Sequence, residues 1–67
     1  MIQQSNIVIE EHNGTYQIES TPSGMYIVWH EYEDGKWVGL STVKTAVDAH
    51  KVIKAHEEYF SKLEELQ

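Results

Sequence analysis

Apolar and polar positions alternate with a period of two through the first two thirds of the chain, then switch to a helical period. Ile7-Val8-Ile9-Glu10-Glu11 and Thr15 to Glu19 read as strands on either side of Asn13-Gly14, a dipeptide that favours tight hairpin turns. Pairing across that turn sets Ile9 opposite Ile18 and Glu11 opposite Tyr16. One face of this hairpin then carries Ile7, Ile9, Tyr16 and Ile18. Its other face is largely polar, as suits an antiparallel ribbon with one wet side.

Thr21-Pro22-Ser23-Gly24 is a turn, and a third strand runs from Met25 to about Tyr32. Asp34-Gly35, read as a two-residue loop, pairs Glu33 with Lys36, Tyr32 with Trp37, Glu31 with Val38 and Trp29 with Leu40. The second hairpin is apolar on both sides. Met25, Ile27, Trp29, Val38 and Leu40 share one face. Tyr26, Val28, His30, Tyr32 and Trp37 share the other. The first of these faces continues best with Ile7, Ile9 and Ile18, so it is expected to lie under the helix.

From Thr45 onward no proline or glycine interrupts the chain. Thr45 with Asp48 resembles a capping box. Ala49, Val52, Ile53, Phe60 and Leu63 form one stripe at 100° per residue, widened by Tyr59 and Leu66. The expected helix, within 45–66, has about 21 residues and is roughly 31 Å long at 1.5 Å per residue, while six-residue strands reach about 20 Å. Its last turns should overhang the sheet and leave Tyr59, Leu63 and Leu66 uncovered. The expected fold is α+β: a four-stranded antiparallel sheet made of two hairpins over 7–42, with one long C-terminal helix on one face. Residues 1–6 read as a loose leader to this single domain.

Composition narrows the chemistry. A core drawn from 67 residues gives only about 3–5 kcal/mol of net stability, and without cysteine no disulfide or thiolate metal site can add to it. The formal charge is −6, from 11 acidic residues against 5 basic ones, all lysine. The lack of arginine and the acidic balance argue against direct nucleic-acid binding and against an anionic membrane surface. No apolar leader or membrane-length run is visible, so the expected compartment is cytoplasmic.

No catalytic constellation stands out. His50 and His56 are about 120° apart around the helix axis, a poor arrangement for a shared metal. His56 lies inside the apolar stripe, where it reads as a histidine at the rim of the core. His30 is expected on the sheet face away from it, so no metal site and no cofactor are expected. The carboxylates Glu31, Glu33, Asp34, Glu57 and Glu58 sit at a strand edge, a turn tip and a polar helix face, where they read as acidic surface. What remains is an apolar sheet face with no lid, an invitation to a partner. Tyr26, His30, Tyr32 and Trp37, with Tyr59 and Leu63 from the helix end, are the candidate partner-binding residues.

Tyr26-Ile27-Val28-Trp29, Asp34-Gly35-Lys36, Val38-Gly39-Leu40 and then Lys44-Thr45 opening a helix with Ala46, Ala49 and Ile53 form a further pattern. Over about residues 24–60 it resembles the three-stranded sheet plus helix of plant AP2-like domains and of the arm-binding domains of phage-type integrases. The resemblance implies a sheet that enters a DNA major groove with basic and aromatic side chains. Here that face offers Tyr26, His30, Tyr32 and Trp37 with Lys36 as its one firm cation, so the fold is expected to carry over without the function. The leading expectation is a non-enzymatic acidic protein that docks on a protein partner through its aromatic face. Its carboxylates would imitate phosphates, as suits a phage or mobile-element inhibitor of a nucleic-acid-handling machine. The alternatives are a DNA-binding module of the integrase-arm type and a structural homodimer.

Overall fold

The computed structural model of the chain describes residues 6–66. Four strands, β1 (Asn6–Glu11), β2 (Gly14–Ser20), β3 (Tyr26–Glu31) and β4 (Trp37–Val43), precede one helix, α1 (Ala46–Glu65). The strands form an antiparallel meander in the order β1-β2-β3-β4, and α1 packs against β3 and β4. This is the α+β architecture that the alternation predicts. Residues 1–5 of the expected leader lie outside the described residues, and Asn6 belongs to β1.

The turns decide which side chains face the helix. Between β2 and β3, the Thr21 N–H donates to the Met25 carbonyl at 2.9 Å and the Gly24 N–H to the Thr21 carbonyl at 3.0 Å. Between β3 and β4 the same pair recurs, Tyr32 N–H to the Lys36 carbonyl and Gly35 N–H to the Tyr32 carbonyl, both at 2.9 Å. Each is a three-residue loop closed by a glycine in the left-handed region, with φ of 86° at Gly24 and 83° at Gly35. Such a loop pairs residues four apart, so Tyr16, Ile18 and Ser20 stand opposite His30, Val28 and Tyr26.

The helix therefore covers the Tyr26, Val28 and His30 side of β3, not the expected Met25–Ile27–Trp29 side. Tyr16, Ile18, Val28, Ala49 and Ile53 make the buried core, with Ile9, Tyr26, Leu40, Val43 and Val52 packed around it. The β3–β4 register also differs from the expected one. A three-residue loop in place of two pairs Glu31 with Trp37 and Trp29 with Gly39, which moves Trp37 onto the face of Trp29. A register shift between Val28 and Trp29 then restores the expected alignment, with Val28 opposite Ser41 and Tyr26 opposite Val43. Leu40 falls in that shift and turns to the core.

In the first hairpin Glu11 pairs with Gly14 and Ile9 with Tyr16, a slip of two residues from the expected pairing. A slip of two preserves the faces, so Ile7, Ile9, Tyr16 and Ile18 still share one side. His12 and Asn13 form the loop, and the positive φ falls on Gly14, at 139°. Glycine is needed there for a second reason. A Cβ on Gly14 would stand 2.6 Å from His30 Nε2 and 3.2 Å from the Glu31 carbonyl oxygen.

Thr45 caps α1, its Oγ1 accepting from the Asp48 N–H at 3.1 Å. The apolar stripe is buried at Ala49 and Ile53 and half-buried at His56 and Phe60. Tyr59, Leu63 and Leu66 are exposed, as an overhanging helix end requires.

Candidate functional site

Two arrangements of side chains stand out, one closed and one open. The closed one lies where α1 crosses the end of the β1–β2 hairpin. Tyr16, fully buried on β2, donates its hydroxyl to Glu57 Oε2 at 2.8 Å and meets His56 Nδ1 at the same oxygen. With the phenol proton given to Glu57, the remaining bond is donated by His56 Nδ1–H, which fixes that tautomer. Both oxygens of Glu57 also accept the Asn13 backbone N–H at 3.1 Å. Asn13 Nδ2 donates to the Glu57 carbonyl at 3.2 Å. One carboxylate thus ties the hairpin turn to the helix.

His30 completes the cluster. It is only 3% exposed, and its ring centroid lies 4.6 Å from those of Tyr16 and His56 and 4.5 Å from that of Tyr32. Its Nε2 bonds the Asn13 carbonyl at 3.2 Å, while Nδ1 has no partner. Burial raises the Tyr16 phenol well above its ordinary value, and the hydrogen bond and charge of Glu57 add to this. Burial lowers His56, the neighbouring His30 lowers it further, and Glu57 opposes both. These groups can hold a proton in place. Tyr16 has no access to solvent, so the arrangement is a structural clasp with no reachable nucleophile.

This corrects two expectations. His30 meets His56, because the helix lies on its side of the sheet. Glu57, expected among the surface acids, is half-buried and bonded. Among the described residues no group of three or more histidine, aspartate or glutamate side chains is placed to hold a metal ion.

The open arrangement is the sheet face turned away from α1. The register puts Val8, Gln17, Glu19, Ile27, Trp29 and Trp37 on it. The Trp29 ring lies over Gly39, at 3.5 Å from where a Cβ would stand, and its Nε1–H donates to Glu19 Oε1 at 3.1 Å. Trp37 is 39% exposed and lines a shallow depression with Trp29, Gln17 and Glu19. A Cβ at Gly39 would rest in ordinary van der Waals contact with the indole, so only a longer side chain would crowd it.

The candidate partner-binding residues therefore separate. Trp37 lies on the open face. Tyr26 packs at the core margin and His30 inside the core. Tyr32 is exposed at the β3 end, and Tyr59 and Leu63 are exposed on α1. Glu31 stands opposite Trp37, at the border between the open face and a cleft of about 880 Å3. Glu33, Asp34, Tyr32, Phe60 and Glu64 also line that cleft. Glu58 is exposed on the helix.

The alternation places Trp29 in the expected core, so it does not bring out Trp29 and Glu19 as site residues. The signal was present, in Gly39 and in the bulky residues on both faces of β3. No known protein family matches the chain, and no curated protein or solved structure matches it. No helix among the described residues is long and apolar enough to cross a membrane.

Proposed function

We propose that this protein works by binding another protein, and that the sheet face bearing Trp29 and Trp37 is its docking surface. The observation that carries this reading is a pair of tryptophans on a face without a lid, seated beside Glu19 and Glu31. Tryptophan is among the residues that dominate binding energy at interfaces. The acidic residues select the partner. The chain carries −6, and the depression that the two tryptophans line is completed by the Glu19 carboxylate and the Gln17 amide. A partner surface with lysine or arginine around an apolar centre is complementary to this.

The acidic cleft extends the same field from Glu31 to Glu33, Asp34 and Glu64. A row of carboxylates beside an aromatic anchor suits a basic groove that otherwise receives a nucleic-acid backbone, and occupancy would exclude the nucleic acid by competition. The clasp of Tyr16, His56 and Glu57 supports binding over catalysis, since its polar atoms are turned on one another.

Site-specific photo-cross-linking tests this in a lysate of the native host. A photoreactive residue at position 37 should yield adducts with a basic protein, weakened by salt and displaced by heparin. The same residue at Lys51, on the solvent side of α1, should not. Adducts from position 51 alone, or adducts from position 37 that ignore both salt and heparin, would sink the proposal.

A further inference from the structure

The two edges of the sheet are built differently. β4 carries a register shift at Leu40, the usual device for blunting an edge. β1 carries none: its pairing with β2 runs unbroken from Asn6 to Glu11. It contains no lysine and no proline, and three apolar residues follow one another at Ile7, Val8 and Ile9. Ile7 points to the helix side and is 51% exposed; Val8 points to the open side and is 61% exposed. The helix packs on β3 and β4 and reaches the β1–β2 hairpin at Asn13 and Tyr16, but it leaves Ile7 half open. An edge strand that is apolar on both faces has the character of an interior strand.

We infer that β1 pairs with β1 of a second copy, antiparallel across a twofold axis at Val8, to join two sheets into one. Self-complementarity identifies the occupant. An axis at Val8 sets Val8 against its own copy, Ile7 against Ile9 in both directions, and Glu10 against Asn6. Every apolar residue meets an apolar one, and every carboxylate that is paired meets an amide. Moving the axis one residue toward the hairpin turn sets Val8 against Glu10. Moving it one further sets Glu10 against itself, where like charges repel. Charge thus excludes the registers nearer the turn, and moving the axis the other way, to Ile7, would set Val8 against Asn6, so apolar matching favours Val8. A twofold axis normal to the sheet leaves both helices on one side. Both tryptophan faces stay free on the other, so the dimer stands independently of the docking reading.

The experiment is sedimentation of the full chain over a concentration series, with Val8→Lys and Val8→Glu alone and mixed. The wild type should dimerise. Each variant alone should weaken the dimer by at least about tenfold, because it sets like charges together at the axis. The equimolar mixture should recover it, because lysine then meets glutamate. Isotope-filtered NOEs between the Val8 methyls of labelled and unlabelled wild-type copies should be present, and they remain informative should either variant fold poorly. A wild type that stays monomeric at every concentration reached would overturn the inference. So would a dimer indifferent to both substitutions and without the Val8 NOE.

Discussion

Tyr16→Phe removes one oxygen atom from the centre of the clasp and leaves the ring in place. The hydroxyl holds two partners, Glu57 at 2.8 Å and His56 Nδ1. A hydrogen bond to a charged group is worth about 1.5–3 kcal/mol and one to a neutral group about 0.5–1.5 kcal/mol. Glu57 keeps the Asn13 N–H, whereas His56 Nδ1 is left without its acceptor. The expected loss is therefore about 2–4 kcal/mol. A domain of this size has about 3–5 kcal/mol in total, so the variant should keep only about 1 kcal/mol and show a measurable unfolded fraction in water. Urea denaturation followed by circular dichroism and tryptophan fluorescence measures it. With a slope near 1 kcal/mol per molar, the midpoint should drop by about 2 M or more. Glu57→Gln supplies the second arm: the two changes should be strongly non-additive, because they remove the same contact. A Tyr16→Phe loss below about 0.5 kcal/mol, the level of an ordinary surface change, would refute the clasp as a stabilising element.

Other consequences follow from the same geometry. Because the folded protein lowers His56 below its usual 6.5, the unfolded chain binds its proton first. The stability from neutral His56 is fully present above that value and is lost as pH falls through the folded one, so unfolding midpoints should drop on acidification, and His56→Gln should flatten the trend. Tyr16 acts with the opposite sign: stability should fall as pH rises beyond its ordinary 10.0, and a phenolate absorbance titration that finds an ordinary midpoint would contradict its burial. Gly24→Ala and Gly35→Ala meet open space and should each cost about 1–2 kcal/mol from backbone conformation alone. Gly14→Ala should cost more than either, since its Cβ also strikes His30; equal losses at all three would show that the close approach is absent. Val28→Ala should cost about 2 kcal/mol or more of stability, whereas Trp37→Ala should leave the unfolding midpoint nearly unchanged.

The strands, the helix and its Thr45 cap were legible because alternation and capping are local signals. Which way the sheet faces was not. β3 is bulky on both sides, so its own pattern does not choose between Val28 and Trp29. The choice is made by one loop residue. Glycine closes the loops at Gly24 and Gly35 as the third residue, and the resulting parity sets Val28 against Ile18 and Trp37 with Trp29. Asp34-Gly35 marked the place of a turn correctly and its length incorrectly. The clasp was hidden for a different reason. Glu57 reads as one more acid on a charged helix, and its partners Asn13 and Tyr16 lie more than 40 residues away. Only the crossing of α1 over the hairpin end brings them together.

The docking surface proposed for the protein partner depends on which side of the sheet is bare. Paramagnetic relaxation by a soluble gadolinium chelate tests that side directly, residue by residue. Side-chain signals from Ile27 and the Trp37 indole should broaden strongly, with Ile18 and Val28 protected. Protection of Ile27 and Trp37 together with broadening of Ile18 and Val28 would contradict this.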